Sequence, residues 1–231
     1  MQYKKIGIIC AMESEAEEIL SALENKKEEK IGSLKFSLGT CGEKKLVVAV
    51  CGIGKVFAAL CAQTLILNYA PDCLICSGVA GSLSEKLEIL DVALGESLVQ
   101  HDMDTSPLGD PVGLISGINK VFLPCDPDLS ASIKKAAKDL KINVLEGVIA
   151  TGDQFVATKE QKEKIRSAFG AIACEMEGGA IAQTAFVNGV PFACIRAISD
   201  SYLGKNEMDY AKFAPAAAKR GAQLLLSAIK N

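Results

Sequence analysis

The chain has 231 residues, of which 49% are hydrophobic and 23% charged, and its formal net charge is -3. This length and apolar content allow one large domain with a substantial core, and we expect a single domain over residues 1–231. The basic residues are dispersed, so no basic stripe favours nucleic acid, and a small-molecule partner is expected. No stretch has the length and apolar character that a membrane span needs.

The nine cysteines fall largely within apolar, strand-like runs, as Cys10, Cys51, Cys76 and Cys194 do. In that setting they resemble small buried hydrophobes in a reduced cytoplasm rather than a disulfide framework. Cys73 and Cys76 form one C-x-x-C pair, without a second pair and with a single histidine in the chain. We therefore expect no metal site and a cytoplasmic protein.

The first third of the chain predicts a strand, a helix and a hairpin in that order. Residues 5–10 (KIGIIC) form a compact apolar strand, and a helix follows it to about Lys26. The short apolar run followed by acids differs from a signal peptide. Residues 31–38 then alternate between apolar and polar side chains, and residues 45–50 are largely apolar. A turn at Gly42 lies between these segments, and the pattern predicts a hairpin.

Glycines mark the next two loops. Gly52 and Gly54 open a helix that runs to about Tyr69, and they indicate a tight turn or a backbone close to a ligand. Phe57 breaks the Walker pattern, so a dinucleotide or triphosphate site has weak support. Residues 73–76 predict a buried strand that breaks at residues 77–82, where main-chain amides can approach a ligand.

Two short strands, residues 88–92 and 96–100, lead into a polar loop at 101–109 that could serve as a lid or a subunit contact. His101 stands beside two aspartates there. A metal would need a second ligand cluster, so we favour a structural hydrogen-bonding role for this histidine.

The second half continues the alternation of helices and strands. We expect a helix at 126–140, a strand at 143–150, a charged helix at 159–168 and a long amphipathic helix at 208–230. Phe155 lies in a polar loop of a chain with only 5% aromatic residues, and it either stacks on a flat base or plugs the core. Without repeats or linkers, this pattern predicts an α/β sandwich around a mostly parallel or mixed sheet.

Acidic residues follow several of the predicted strands. Glu175 and Glu177 stand where we expect a helix to begin, so helix capping is an alternative to a functional role. Residues 191–198 predict a buried strand that Arg196 interrupts and Asp200 ends. Because strand carboxyl ends face the ligand crevice in open α/β sheets, Asp200 is placed to meet a substrate, or it only caps a turn. Glu15 is the corresponding acid after the first strand, unless it only satisfies helix amides.

Five motifs occur in order over nearly the full chain. They are residues 6–15 (IGIICAMESE), 77–82 (SGVAGS), 151–155 (TGDQF), 174–177 (CEME) and 196–200 (RAISD). Together they resemble the 5'-methylthioadenosine/S-adenosylhomocysteine nucleosidases of the nucleoside phosphorylase-like superfamily, and Ala-Met-x-x-Glu near the start is similar to its hydrolytic branch. The resemblance implies a three-layer α/β/α sandwich with a central mixed sheet, a homodimer, and hydrolysis of an adenine N-glycosidic bond without metal or organic cofactor.

The resemblance also implies roles for individual residues. Asp200 is similar to the acid that protonates adenine N7, Glu15 to the base that activates water, and Glu177 to the carboxylate that holds the ribose hydroxyls. Phe155 matches the ring that stacks on adenine, and the Val156 main chain matches the group that reads the edge of the base. The other candidates are Met176 beside the sugar, Glu175, Arg196, Ser199, Val79 and Gly81 around the site, Met12, Ile53 and Tyr210 in the 5' pocket, and Thr105 and Leu108 from the partner subunit.

Three other functions are compatible with parts of this sequence pattern. A purine nucleoside phosphorylase would need a cationic phosphate pocket, where Glu15 would repel the anion. An aminofutalosine-type nucleosidase would share the same chemistry, and a non-catalytic nucleoside sensor could share the fold. Val79 departs from the pattern of the family that the chain resembles, because many members carry a small hydroxyl residue there. This difference affects the positioning of water or the choice of substrate.

Overall fold

The computed structural model describes residues 1–203 and 206–230. The strands are β1 (Lys5–Cys10), β2 (Glu24–Ile31), β3 (Leu34–Cys41), β4 (Lys44–Val50), β5 (Cys73–Ser82), β6 (Val92–Gln100), β7 (Leu123–Pro124), β8 (Val144–Thr151), β9 (Ala173–Glu175) and β10 (Phe192–Asp200). The helices are α1 (Glu13–Ser21), α2 (Lys55–Tyr69), α3 (Pro127–Leu140), α4 (Lys159–Phe169), α5 (Gly178–Val187) and α6 (Asn206–Lys230), with a 3₁₀ turn at Ser106–Leu108.

All of the strands belong to one mixed sheet. β1 pairs in parallel with both β4 and β5, and β10 pairs in parallel with β5 but antiparallel to β6. The pairings β5–β10–β6–β8–β9–β5 close a ring of five strands, from which β1, β4, β3 and β2 extend as an open sheet. The sheet is mixed, as the resemblance implied.

Helices cover both faces of the sheet. Successive side chains of a strand point to opposite faces, so Ile8 packs into one apolar core with α1, α3 and α6, while Ile9 packs into a second core with α2 and α5. This arrangement confirms the three-layer α/β/α prediction. Within the two described ranges, none of the helices is both long and apolar enough to cross a membrane.

The first helix is shorter than its sequence predicted. It ends at Ser21 rather than near Lys26, and residues Glu24–Ile31 form β2, which pairs antiparallel with β3. The side chains of β2 are largely exposed, and its Lys and Glu residues are typical of an edge strand that resists pairing with other chains. The prediction was wrong because strand pairing overrides the helix preference of a charged segment.

Two further strand boundaries differ from the prediction. The glycine-rich residues 77–82 do not break β5, because β10 pairs along Gly78 and β9 pairs with Gly81. Residues 88–91 precede a strand instead of forming one. Leu90 has a left-handed φ of 75°, and the Glu88 N–H donates to Asp91 Oδ2 at 2.9 Å, so the segment is a turn before β6.

The cysteines pack as small apolar side chains. All nine are free thiols, and each is buried except the half-buried Cys125. Cys73 and Cys76 both lie within β5 among core residues, with the first in one core and the second in the other. The C-x-x-C pair is therefore part of the packing of a central strand.

Candidate active site

A cavity of about 380 Å³ lies where the carboxyl ends of β1, β9 and β10 meet the last residues of β5. This volume falls within the usual range for small-molecule sites. Most of the candidate residues line it: Met12, Glu15, Ile53, Val79, Gly81, Phe155, Val156, Glu175, Met176, Glu177, Arg196, Ser199, Asp200 and Tyr210. The structure therefore brings together side chains that are far apart along the chain.

Thr105 and Leu108 lie outside the wall of this cavity. The Thr105 hydroxyl donates to Asp110 Oδ2 at 2.8 Å, within its own loop. The side chain of Leu108 is 84% exposed. Neither residue contributes to the site of its own chain, and their expected role depends on a second subunit.

Glu15 is a buried acid held by main-chain amides. Its Oε2 accepts hydrogen bonds from the N–H groups of Ala11 at 2.8 Å and Met12 at 3.0 Å. Its Oε1 accepts from the Val79 N–H at 2.9 Å. Glu15 therefore satisfies amides beside its helix, as the structural interpretation expected, and it also lines the cavity. An ionised carboxylate accepts all three bonds, which fix its position.

Arg196 is buried and surrounded by carboxylates. Its Nη2 pairs with Glu175 and lies 3.5 Å from Glu177 Oε2, and its Nη1 lies 4.0 Å from Glu15 Oε1. Buried charges need such partners, because removal from water is costly. The guanidinium therefore fixes the acids on this side of the cavity.

Glu175 ends β9, and the helix that we expected to begin there starts at Gly178. Its Oε2 accepts from the N–H groups of Glu177 at 3.0 Å and Gly178 at 2.6 Å. The capping interpretation is confirmed for this residue, which joins Arg196 to the start of α5 and so supports the site.

Glu177 has a different environment from Glu175. Its side chain makes no capping bond to α5, and its Oε1 accepts from the Gly54 N–H at 2.9 Å. Gly54 has a φ of 99°, a left-handed conformation that glycine adopts without strain, which explains the Gly-x-Gly turn. Burial raises the pKa of Glu177 to about 7, while Arg196 acts in the opposite direction. Near neutral pH this carboxyl group can therefore accept or donate a hydrogen bond.

Asp200 is the last residue of β10 and is buried. The Ser199 hydroxyl donates to its Oδ1 at 3.0 Å, and the Lys162 ammonium donates to its Oδ2 at 3.3 Å. Burial raises the pKa of Asp200, and Lys162 and Ser199 act in the opposite direction. Because desolvation dominates, the carboxyl group holds its proton at higher pH than an exposed aspartate does.

Aromatic and apolar groups form another part of the cavity wall. The Phe155 ring is 46% exposed, and its centroid lies 5.6 Å from that of Tyr210 in an edge-on arrangement. The Tyr210 hydroxyl contacts Met12 Sδ at 3.5 Å. This wall offers a free aromatic face and an apolar end, which suit a flat heterocycle with an apolar substituent.

Sequence reasoning missed Lys162 and Thr151. Lys162 lies in the segment for which we expected a charged helix, but its side chain is fully buried. It lies three and seven residues before Ile165 and Phe169, and that helical spacing could have placed it on the inward face. Thr151 ends β8, donates to Glu175 and accepts from the Gly179 N–H at 2.7 Å, a contact that no local pattern predicts.

One of the two ring nitrogens of His101 lacks the hydrogen bond that we expected. Its Nε2 is buried without a hydrogen-bond partner in the part of the chain that the structure describes. The ring lies against Gly152, where a side chain would clash with it, and burial lowers the pKa of the imidazole. The imidazole therefore packs against Gly152, and its burial favours the neutral form.

Gly78→Ala should disturb the packing of the Glu15 and Arg196 side chains. The added Cβ would lie against Glu15 Oε1 and within 2.5 Å of Arg196 Nη1. We expect the free energy of unfolding to fall by about 1–3 kcal/mol, as for other overpacked interiors. Urea denaturation measures this, with Gly221→Ala in α6 as the control, since its Cβ would meet Ala197 Cβ at an ordinary 3.4 Å. Equal stability of the two variants would contradict close packing of Gly78 against Glu15 and Arg196.

Comparisons with known proteins show the family to which the chain belongs. The model of the phosphorylase superfamily matches residues 5–230. An aminodeoxyfutalosine nucleosidase of Helicobacter pylori (strain J99 / ATCC 700824) is 39% identical over 227 residues, which cover 98% of each chain. A 5'-methylthioadenosine/S-adenosylhomocysteine nucleosidase of Shewanella halifaxensis (strain HAW-EB4) is 34% identical over 229 residues, covering 98% of this chain and 99% of that one.

A solved structure extends the match to the fold. The 5'-methylthioadenosine/S-adenosylhomocysteine nucleosidase from Neisseria meningitidis, in complex with methylthio-immucillin-A, superposes with a TM-score of 0.95 at 34% identity, covering 98% of this chain and 99% of that one. Sequence and structure agree over nearly the whole length. The chain belongs to the phosphorylase superfamily, among its nucleosidases.

Proposed function

We propose that this chain hydrolyses the N-glycosidic bond of 5'-methylthioadenosine and S-adenosylhomocysteine, and also of 5'-deoxyadenosine. The products are adenine and the corresponding 5-thioribose or 5-deoxyribose. The observation that carries this proposal is the convergence of Glu15, Glu177 and Asp200 on one cavity that aromatic and apolar side chains also line. Relatives named for the same substrates support it.

Asp200 is the general acid in this proposal. Cleavage of the bond builds negative charge on the departing base, so a proton delivered to adenine N7 stabilises the transition state. The buried position of Asp200 and its raised pKa suit a group that must carry a proton near neutral pH. A positioned acid of this kind contributes about 10²–10⁴-fold in rate.

Glu15 is the general base and Glu177 binds the sugar. The three amide bonds to Glu15 hold its carboxylate toward the cavity, where it accepts a proton from the attacking water. Glu177, fixed on one side by Gly54, hydrogen-bonds the ribose hydroxyls beside Met176. Positive charge that develops on the sugar is stabilised by these nearby carboxylates.

The remaining wall recognises the base and the 5' substituent. The exposed face of Phe155 stacks on adenine, and the main chain of Val156 reads the edge of the base. Met12, Ile53 and Tyr210 surround the thioether end, where sulfur and alkyl groups find an apolar environment. The site works without a metal or organic cofactor in this proposal.

The contacts of Arg196 disfavour a phosphorylase. In the described part of the chain, Arg196 is the one cation in the cavity wall, and Glu175 and Glu177 already pair with it. A phosphate ion would meet Glu15 on the same side, and the two anions would repel each other. A passive nucleoside sensor is also disfavoured, because a buried acid and a fixed base serve no purpose in binding alone.

An aminofutalosine-type substrate is the second candidate. The Helicobacter pylori aminodeoxyfutalosine nucleosidase is 39% identical to this chain, which is higher than the 34% of the Shewanella halifaxensis relative. Both substrate types carry adenine and ribose, so the same acids would act on each. Only the 5' substituent differs, and it lies in the apolar end of the cavity.

Initial rates of adenine release from four nucleosides test this function. The substrates are 5'-methylthioadenosine, S-adenosylhomocysteine, 5'-deoxyadenosine and aminodeoxyfutalosine. We expect kcat/KM values for the first two that approach the range of natural substrates, about 10⁴ M⁻¹s⁻¹ or more. No adenine release from any of them would refute the proposed function, and a preference of tenfold or more for aminodeoxyfutalosine would favour the second candidate.

A homodimer is part of the proposed function. Helix α2 exposes Val56, Phe57, Leu60 and Leu67 on one face, which we name the α2 face. Exposed apolar patches of this kind mark interaction sites. The Lys55–Asp102 ion pair at 2.6 Å ties the start of α2 to the loop that carries Leu108. A second subunit on the α2 face would therefore be placed to receive Leu108 and Thr105 near its own cavity mouth.

Leu60→Asp should shift the protein from dimer to monomer. A carboxylate in the middle of the α2 face would lose its hydration on association, which is costly without a partner. Sedimentation velocity measures the change. Leu140→Asp is the matched control, since Leu140 is also an exposed leucine at 45% but lies on α3 in the other layer. A wild-type monomer, or a dimer that survives Leu60→Asp unchanged, would contradict the proposed interface.

We also place the protein in the cytoplasm, in methionine salvage. Nine free thiols, eight of them buried, suit a reducing compartment. Hydrolysis of 5'-methylthioadenosine yields methylthioribose and adenine, which are the starting materials for recovering methionine and purine.

A further inference from the structure

Lys162 is a fully buried cation beneath the cavity, and the proposed function leaves it without a role. Its side chain extends from α4 to the end of β10, where Nζ donates to the Ser201 carbonyl at 2.7 Å and to Asp200 Oδ2 at 3.3 Å. The Asp200 side chain is also buried, at 4% exposure. A lysine in such a place is costly unless its charge has a use or a partner.

We propose that Lys162 is a positioning residue for proton transfer, which orients Asp200 and stabilises the carboxylate that remains after the proton has passed to the base. This inference rests on the proposed function, because it takes Asp200 as the general acid. It assigns Lys162 no contact with the substrate.

In the proposed reaction one proton leaves Asp200 and another reaches Glu15. The O–H bond of neutral Asp200 breaks as the N7–H bond of adenine forms, and the carboxylate left behind carries one negative charge beside the Lys162 ammonium. The attacking water gives its own proton to Glu15, and exchange with solvent then restores both acids. Within a buried site, attraction between the new carboxylate and Lys162 is stronger than in water.

Other groups face Asp200 from the elements around it. Ser199 on β10 donates to Oδ1, and Cys174 on β9 and Tyr210 on α6 lie close enough to interact with its charge. Asp209, also on α6, raises the pKa of Asp200, whereas Lys162 lowers it. Lys162 therefore opposes the effects of burial and Asp209 on this pKa, and it favours the ionised form of Asp200 that remains after proton transfer.

The pH profile of kcat/KM for Lys162→Met tests this inference, with Lys162→Arg as the matched control that keeps the charge. Loss of the cation raises the pKa of Asp200, so the fall in activity at alkaline pH should move up by about 1–3 pH units. The maximal kcat should drop about tenfold or more, because the new carboxylate loses its counter-ion. In Lys162→Arg the alkaline fall in kcat/KM should occur at the wild-type pH, and most of the wild-type kcat should remain.

Lys162→Gln repeats the test without the charge if the methionine variant does not fold. The role of Lys162 would be overturned if a folded Lys162→Met or Lys162→Gln protein lost activity at the same alkaline pH as the wild type. A lower melting temperature of that variant would not change this conclusion. Asp200→Asn separates this failure from that of the proposed function. If Asp200→Asn is inactive and the alkaline fall in kcat/KM of Lys162→Met stays at the wild-type pH, only the role of Lys162 is refuted. If Asp200→Asn is active, Asp200 is not the general acid.

Discussion

Replacing Asp200 by Asn should lower kcat for adenine release by about 10²–10⁴-fold. The amide has nearly the same shape and can still accept from Ser199, but it has no acidic proton for the base. KM should change much less than kcat, since the lost interaction acts mainly in the transition state. Steady-state kinetics on 5'-methylthioadenosine measure both constants.

Glu160→Gln serves as the control for this substitution. It also converts a carboxylate to an amide, but on the exposed side of α4, and it should leave kcat unchanged. For the wild type, burial raises the pKa of Asp200. Activity should thus persist while the group is protonated and fall as the pH rises through that pKa. An Asp200→Asn variant with near wild-type kcat would show that another group donates the proton.

Glu15→Gln should cause the second large loss, again about 10²–10⁴-fold in kcat. A glutamine cannot take a proton from water. Its NH₂ group would also face at least one of the N–H groups of Ala11, Met12 and Val79, which now donate to the carboxylate. The variant should therefore lose about 1–3 kcal/mol of stability, the cost of an unsatisfied buried donor.

Glu13→Gln is the matched control for this second prediction. Glu13 lies in the same first turn of α1 and is exposed, so its change to an amide should affect neither activity nor stability. Circular dichroism at the assay temperature shows whether Glu15→Gln remains folded. A folded Glu15→Gln protein that hydrolyses its substrate at the wild-type rate would exclude Glu15 as the base.

The central strands and the meeting of the acids could be predicted from local patterns. The apolar run of β10 ends in Asp200, and Glu15 follows the end of β1 by five residues. Both strands pair in parallel with β5, so their carboxyl ends lie at one edge of the sheet. Glu15 and Asp200 follow from this rule without knowledge of the full topology. The position of Glu177 required the resemblance, because its own segment reads equally well as a helix cap.

Other features depend on contacts that no local pattern contains. The segment that forms β2 has charged residues that suit a helix, and only its pairing with β3 makes it a strand. Glu175 ends a strand of three residues, too short for periodicity to detect. Lys162 reads as a solvated helix residue until the fold places Asp200 beside it. The roles expected for Thr105 and Leu108 require a second subunit, which one sequence does not position.

The identity of the sugar product, with and without inorganic phosphate, tests most directly the claim that water replaces the base at this site. Methylthioadenosine is incubated with the protein in the two buffers, and the products are separated and identified by mass spectrometry. Hydrolysis predicts adenine and free methylthioribose at the same rate in both. A rate that depends on phosphate, with the sugar recovered as its 1-phosphate, would contradict the account.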